Sequence, residues 1–82
     1  MNDATDRLAT AANERLANVD ASKRHDALVE VNPADVLDAL SQPTTPAEVE
    51  SIRVALVKGS LDSNGRPVAV RADQLLRVLV GN

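Results

Sequence analysis

Thr45-Pro46-Ala47-Glu48-Val49-Glu50-Ser51-Ile52-Arg53-Val54-Ala55-Leu56-Val57-Lys58-Gly59 is the stretch in which every local signal agrees on one element. Thr45 is a capping residue, Glu48 stands three positions on to reach back to its N–H, and Pro46 takes the first helical position, where no donor is needed. Val49, Ile52, Ala55 and Leu56 recur at helical spacing as one apolar stripe, with Glu48, Glu50, Ser51, Arg53 and Lys58 mostly off it. Lys58 suits the negative end of the helix dipole, and Gly59 supplies a left-handed cap. The spacing therefore predicts a helix over 45–59. Its stripe must be covered, and what covers it is the functional question.

Immediately upstream, Asn32 is a second cap, Pro33 a second first-turn proline, and Asp35 lies in the positive end of the dipole. Val36, Leu37 and Leu40 give that helix an apolar face until Ser41-Gln42-Pro43 stops it. Pro43-Thr44-Thr45-Pro46 is a stiff, short connection, so the two helices are expected as a helical hairpin or an L-shaped corner. Ala27 to Val31 is a short apolar run, open to reading as an extended segment or as a hydrophobic staple into the next helix. Asp20 to Asp26 is polar and of mixed charge, a linker or an extension of the first helix. From Ala4 to Val19, Leu8, Ala12, Leu16 and Val19 step by four, four and three, which predicts an amphipathic helix, docked or frayed.

Downstream, Asn64-Gly65 is a strong turn dipeptide flanked by Leu61, Val68 and Val70. A small β-hairpin is one reading; an exposed loop with an extended exit is favoured over it, because the arms are short and Pro67 lacks a donor. The last helix is placed at about Arg71 to Val80, with Leu75, Leu76 and Leu79 on one face, Val78 and Val80 broadening it, and Gly81 ending it. The fold class expected is all-α: three to four short amphipathic helices in one small domain, with a turn or hairpin at 60–70. Residues 1–31 are assigned to an N-terminal helix and polar linker, partly ordered at most on one reading, and residues 32–82 to a helical partner-binding region.

Composition sets the limits. Leu, Ile and Val make up 22 of 82 residues, enough for folding, but there is no Phe, Tyr or Trp. Aromatic side chains bury about 150–250 Å² each, so their absence implies a thin core completed by self-association or by a partner. Without cysteine there is no disulfide, thiolate ligand or cysteine nucleophile. Met1-Asn2-Asp3-Ala4-Thr5-Asp6 has neither the basic region nor the apolar run of a signal peptide, and no stretch has the length of a membrane span, so a cytoplasmic protein is the expectation. The net charge of −3 argues against nonspecific nucleic-acid binding, and neither half of the chain is a basic patch.

The chemistry of catalysis is sparse as well. Gly59, Gly65 and Gly81 are the only glycines, and they form neither a phosphate-cradling loop nor a dinucleotide fingerprint, so no cofactor is expected. His25, the single histidine, sits in the polar 20–26 segment, poor footing for a Ser–His–Asp arrangement and without the further ligands of a metal site. Asp35 with Asp38, and Glu48 with Glu50, read as helix N-terminal charges and solvated faces. No enzyme and no small-molecule substrate are expected. Base stacking has no aromatic platform, and the 45–59 helix would present Glu48, Glu50 and Ser51 where a recognition helix meets base edges.

Residues Val49 to Leu61 resemble the helix that typifies the flagellar anti-sigma factors, the negative regulators of flagellin synthesis, whose pattern is close to V-x-x-I-R-x-A-I-x-x-G-x-Y. Val49, Ile52, Arg53, Ala55, Leu56 and Gly59 fit it; Leu61 stands where that family has an aromatic, and Asp62 to Pro67 looks like an insertion. The resemblance implies a repressor of transcription, largely disordered when free and relieved by export through the flagellar apparatus. It would wrap its C-terminal helices around the flagellar sigma factor and keep it from RNA polymerase. On that reading Val49, Ile52, Leu56, Leu75, Leu76 and Leu79 bind the partner by the helix-in-groove mode, with Arg53 bridging to an acidic residue at the rim. The same side chains are alternatively the chain's own core, a reading favoured for Leu56 and Leu75. Two other functions fit the sequence: a small dimeric helical DNA-binding regulator or antitoxin built on Val36–Lys58, and an adaptor or assembly subunit of a larger complex.

Overall fold

The computed structural model describes residues 3–41 and 47–81. Helix α1 spans Asp3–Ala17 and is followed by a 3-10 helix at Ala21–Asp26, strand β1 at Leu28–Val31 and helix α2 at Pro33–Leu40. Helix α3 covers Ala47–Asp62, strand β2 Val68–Arg71 and helix α4 Ala72–Gly81. The radius of gyration, 11.8 Å, is that of a compact domain of this length.

The all-α expectation is corrected in one respect: β1 and β2 pair as a two-stranded antiparallel sheet, Leu28 opposite Arg71 and Val31 opposite Val68. Both strands carry alternating, β-branched side chains, and Val29, Val31, Val68 and Val70 turn toward the core, while Leu28, Glu30 and Ala69 face out. The extended exit after the turn is present. Its pairing partner is β1, far away in sequence, and not an arm at Leu61, which lies in the last turn of α3.

Gly59 is likewise not a cap. The helix runs through it to Asp62 and is stopped by Asn64 and Gly65, both in the left-handed region at φ 55° and 83°. Glycine meets that geometry without strain and asparagine tolerates it, so the dipeptide ends the helix instead of turning a hairpin. Ser63 Oγ donates to Ser60 O at 2.8 Å and helps close this end. At the start of α2 the sequence and structure agree: Asn32 Oδ1 accepts from Ala34 N at 2.9 Å, with Pro33 in the first turn. The Thr45 cap, Pro46, the connection between α2 and α3 and the Glu48 side chain lie outside the described residues.

Leu8 and Ala12 of α1, Val31, Val36 and Leu40, Val49 and Leu56 of α3, Val70, and Ala72, Leu75 and Val78 of α4 form a single buried cluster. Helix α4 is its hub, touching α1, α2, α3 and β2. Ala4, Ala12 and Ala72 are wholly buried, and their small side chains let backbones approach closely where a core without aromatics has little volume to fill. Helix α1 is docked, with Leu8 and Ala12 inward and Leu16 half-buried. Between α1 and α2, Arg7 donates to both carboxylate oxygens of Asp35, from Nε at 3.1 Å and Nη2 at 2.7 Å. The 3-10 helix at Ala21–Asp26 is exposed throughout, and His25 there lies 3.4 Å from the Asp26 carboxylate.

Candidate partner-binding surface

Helices α3 and α4 bring all six apolar candidates into one patch, but at different depths. Val49, Leu56 and Leu75 are buried in the core cluster, and Ile52, Leu76 and Leu79 pack half-buried against it. The reason is angular: on α4 the inward line is Ala72, Leu75 and Val78, which leaves Leu76 and Leu79 on its flanks and Val80 84% exposed. Leu56 and Leu75 are thus core residues in the isolated chain.

Arg53 is engaged within the chain. Its guanidinium is held by the Glu50 carboxylate one turn earlier, and Nη1 donates to Leu40 O at 2.8 Å. That oxygen is among the last carbonyls of α2, which have no partner inside their own helix. Arg53 therefore ties the end of α2 to α3, and its side chain is only 12% exposed. The Glu50 hydrogen bond, before the opposing effect of desolvation, raises its already high pKa and keeps it charged.

At the open edge of the α3–α4 contact, Val49, Leu76, Arg77 and Val80 line a shallow, mostly apolar groove of about 390 Å³. Among the described residues Arg77 is its only charged wall. Arg77 was not among the residues singled out from sequence, and Val80 entered only as a broadening of the face; the signal available was Val80 standing four residues beyond Leu76, on the same side of the helix. A second hollow lies between the C-terminal half of α3 and β2. Among the described residues no group of three histidines or acids is placed to hold a metal ion, and no helix is long and apolar enough to cross a membrane. No family model, curated protein or solved structure matches the chain.

Proposed function

We propose that this chain is a non-enzymatic, cytoplasmic regulator that binds and sequesters another protein through the outer side of α3 and α4. Its most specific form is an anti-sigma factor that holds the flagellar sigma factor away from RNA polymerase. The observation that carries the reading is the groove of Val49, Leu76, Arg77 and Val80, an apolar, concave surface whose one charged wall among the described residues is Arg77. It flanks the 49–61 stretch that carries the anti-sigma pattern. A partner helix with an apolar ridge and an acidic edge fits such a groove, because the ridge leaves water and the acid meets Arg77. The chain docks as a folded body: Leu56 and Leu75 hold α3 and α4 in place, while Leu76 and Val80 make the contact.

The DNA-binding alternative gains nothing from α3, whose described exposed residues are Ala47, Ser51, Val54, Ala55, Lys58, Gly59, Leu61 and Asp62, with one base and one acid among them. The test is size-exclusion chromatography of the chain, alone and mixed with the flagellar sigma factor of its source organism. One-to-one co-elution that Val80→Glu abolishes, with the variant's helix content unchanged, is the predicted result. Separate elution of the two wild-type proteins overturns the anti-sigma form.

A further inference from the structure

The sheet carries an unused edge beside an open hollow. Ala72 N donates to Ala27 O at 3.0 Å, which fixes the hydrogen-bond phase of the ladder. With that register, Val70 with Val29 and Val68 with Val31 exchange the inter-strand bonds, whereas the main-chain groups of Ala69 and Arg71 point away from β1. The two edges are not equivalent. On the outer edge of β1, Arg15 of α1 donates from Nε to Leu28 O at 2.9 Å. On the outer edge of β2, the sheet has no third strand among the described residues.

All four residues of β2, Val68 to Arg71, line a hollow of about 300 Å³ whose facing wall is Ala55, Leu56 and Gly59 of α3, with Leu28 of β1 and Gln74 of α4 at its margins. Because consecutive strand residues point to opposite faces, lining by all four means that the hollow follows the strand's backbone. The opposite wall is made largely of small residues. A Cβ built on Gly59 would meet nothing within 4 Å, so the space beside this turn of α3 is open.

Charge selects the occupant. Arg71 stands at one end of the hollow, its Nη2 bonded to Asp73 at 3.3 Å and its buried Nε donating to no acceptor among the described residues. Turning the guanidinium toward an incoming carboxylate thus costs the fold no bond from that nitrogen, and arginine pairs with carboxylates in a planar, two-point geometry.

We infer that the trough between β2 and α3 takes an extended, carboxylate-bearing peptide segment of a partner protein, added to the sheet as a third strand with its acid on Arg71. Main-chain bonds at Ala69 supply strand addition, and Arg71 supplies the preference for an acidic segment. This site is separate from the α3–α4 groove and rests on no part of the anti-sigma reading.

The probe is an acetylated, amidated hexapeptide of alternating valine and threonine with one glutamate, compared with its glutamine counterpart. Binding is followed by amide NMR shifts and hydrogen exchange on the full chain at millimolar peptide. The predicted result is saturable shifts along 68–71, slowed exchange of the Ala69 amide, and at least several-fold tighter binding of the glutamate peptide. Gly59→Leu fills the trough while replacing a helix-interior glycine with a better helix former, so it is expected to abolish binding without lowering the melting temperature. Asp73→Asn, which removes the competing charge on Arg71, is expected to tighten it. No shift at 68–71, equal binding of the two peptides, or full binding by the Gly59→Leu variant overturns the proposal. Protection of Ala69 that instead rises with protein concentration alone overturns it in favour of a second copy in the trough.

Discussion

Ser60 is buried to 3% exposure, and its Oγ finds no hydrogen-bond partner among the described residues. A buried hydroxyl that leaves water without a partner costs about 1–3 kcal/mol, so Ser60→Ala is expected to raise stability by about 1 kcal/mol in urea denaturation. Gly59, one residue earlier, offers a sharper check on how α3 ends. As a helix-interior residue with open space at its Cβ, Gly59→Ala should stabilise by about 0.5–1 kcal/mol; a left-handed cap would instead lose stability on the same change. Asp35 adds a pH dependence. The hydrogen bonds from Arg7, opposed by burial and helped by charge attraction, hold its carboxyl below the usual carboxylate range. Its contribution is therefore present above the ordinary aspartate value of about 3.9 and is lost as pH falls through the lower value of the folded chain. An acid titration should show wild type more stable than Asp35→Asn at neutral pH, the difference closing in acid. Added salt should narrow it as well, because Arg7 is 59% exposed. None of these three effects is legible in the sequence: a capping asparagine and a dipole-facing aspartate can be read from local order, but Arg7 meets Asp35 across 28 positions.

Among the elements, the helices were readable because their signals are local. Asn32-Pro33 states the start of α2, and Leu8, Ala12 and Leu16 state the face of α1. The sheet was not, since β1 shows its alternation but its partner lies about forty residues on, and pairing at that distance leaves no mark within either strand. The end of α3 was misplaced for a related reason: Lys58-Gly59 satisfies the local rules for a C-terminus, yet the tertiary environment carries the helix on until Asn64-Gly65 forces the chain to turn. Within α4, spacing defined an apolar stripe but not which side of it is covered. That division predicts two classes of variant. Leu75→Ala, at a site with no exposure, should cost about 2–5 kcal/mol, a large part of what so small a core supplies, and be visible as a lost or much lowered thermal transition. Val80→Ser should leave the transition within about 0.5 kcal/mol of wild type. Arg53→Ala belongs to this scale too: losing the bond to Leu40 O and the pairing with Glu50 should lower the melting temperature, and Arg53→Lys should not restore it, because a lysine cannot span both acceptors with a planar fork.

At the scale of the whole molecule, α4 determines both the fold and the function proposed for it. Its inner line closes a core built from aliphatic and alanine side chains, and its outer line offers a groove walled in part by Arg77. Of the α3 residues that carry the resemblance to the anti-sigma helix, Val49 and Leu56 lie in that core and Ile52 packs against it, so the proposed contact falls on the flanks of the two helices and not on their centres. A chain that is disordered until it wraps its partner would use the same leucines in the opposite way. Native-state hydrogen exchange of the free chain, read at the amides of Leu56, Leu75 and Val78, separates a prefolded core from such a chain most directly. A core closed by α4 before any partner arrives predicts slow exchange at all three, set by global unfolding and therefore among the slowest in the chain. Exchange at the rates of an unfolded peptide throughout α3 and α4 would contradict it.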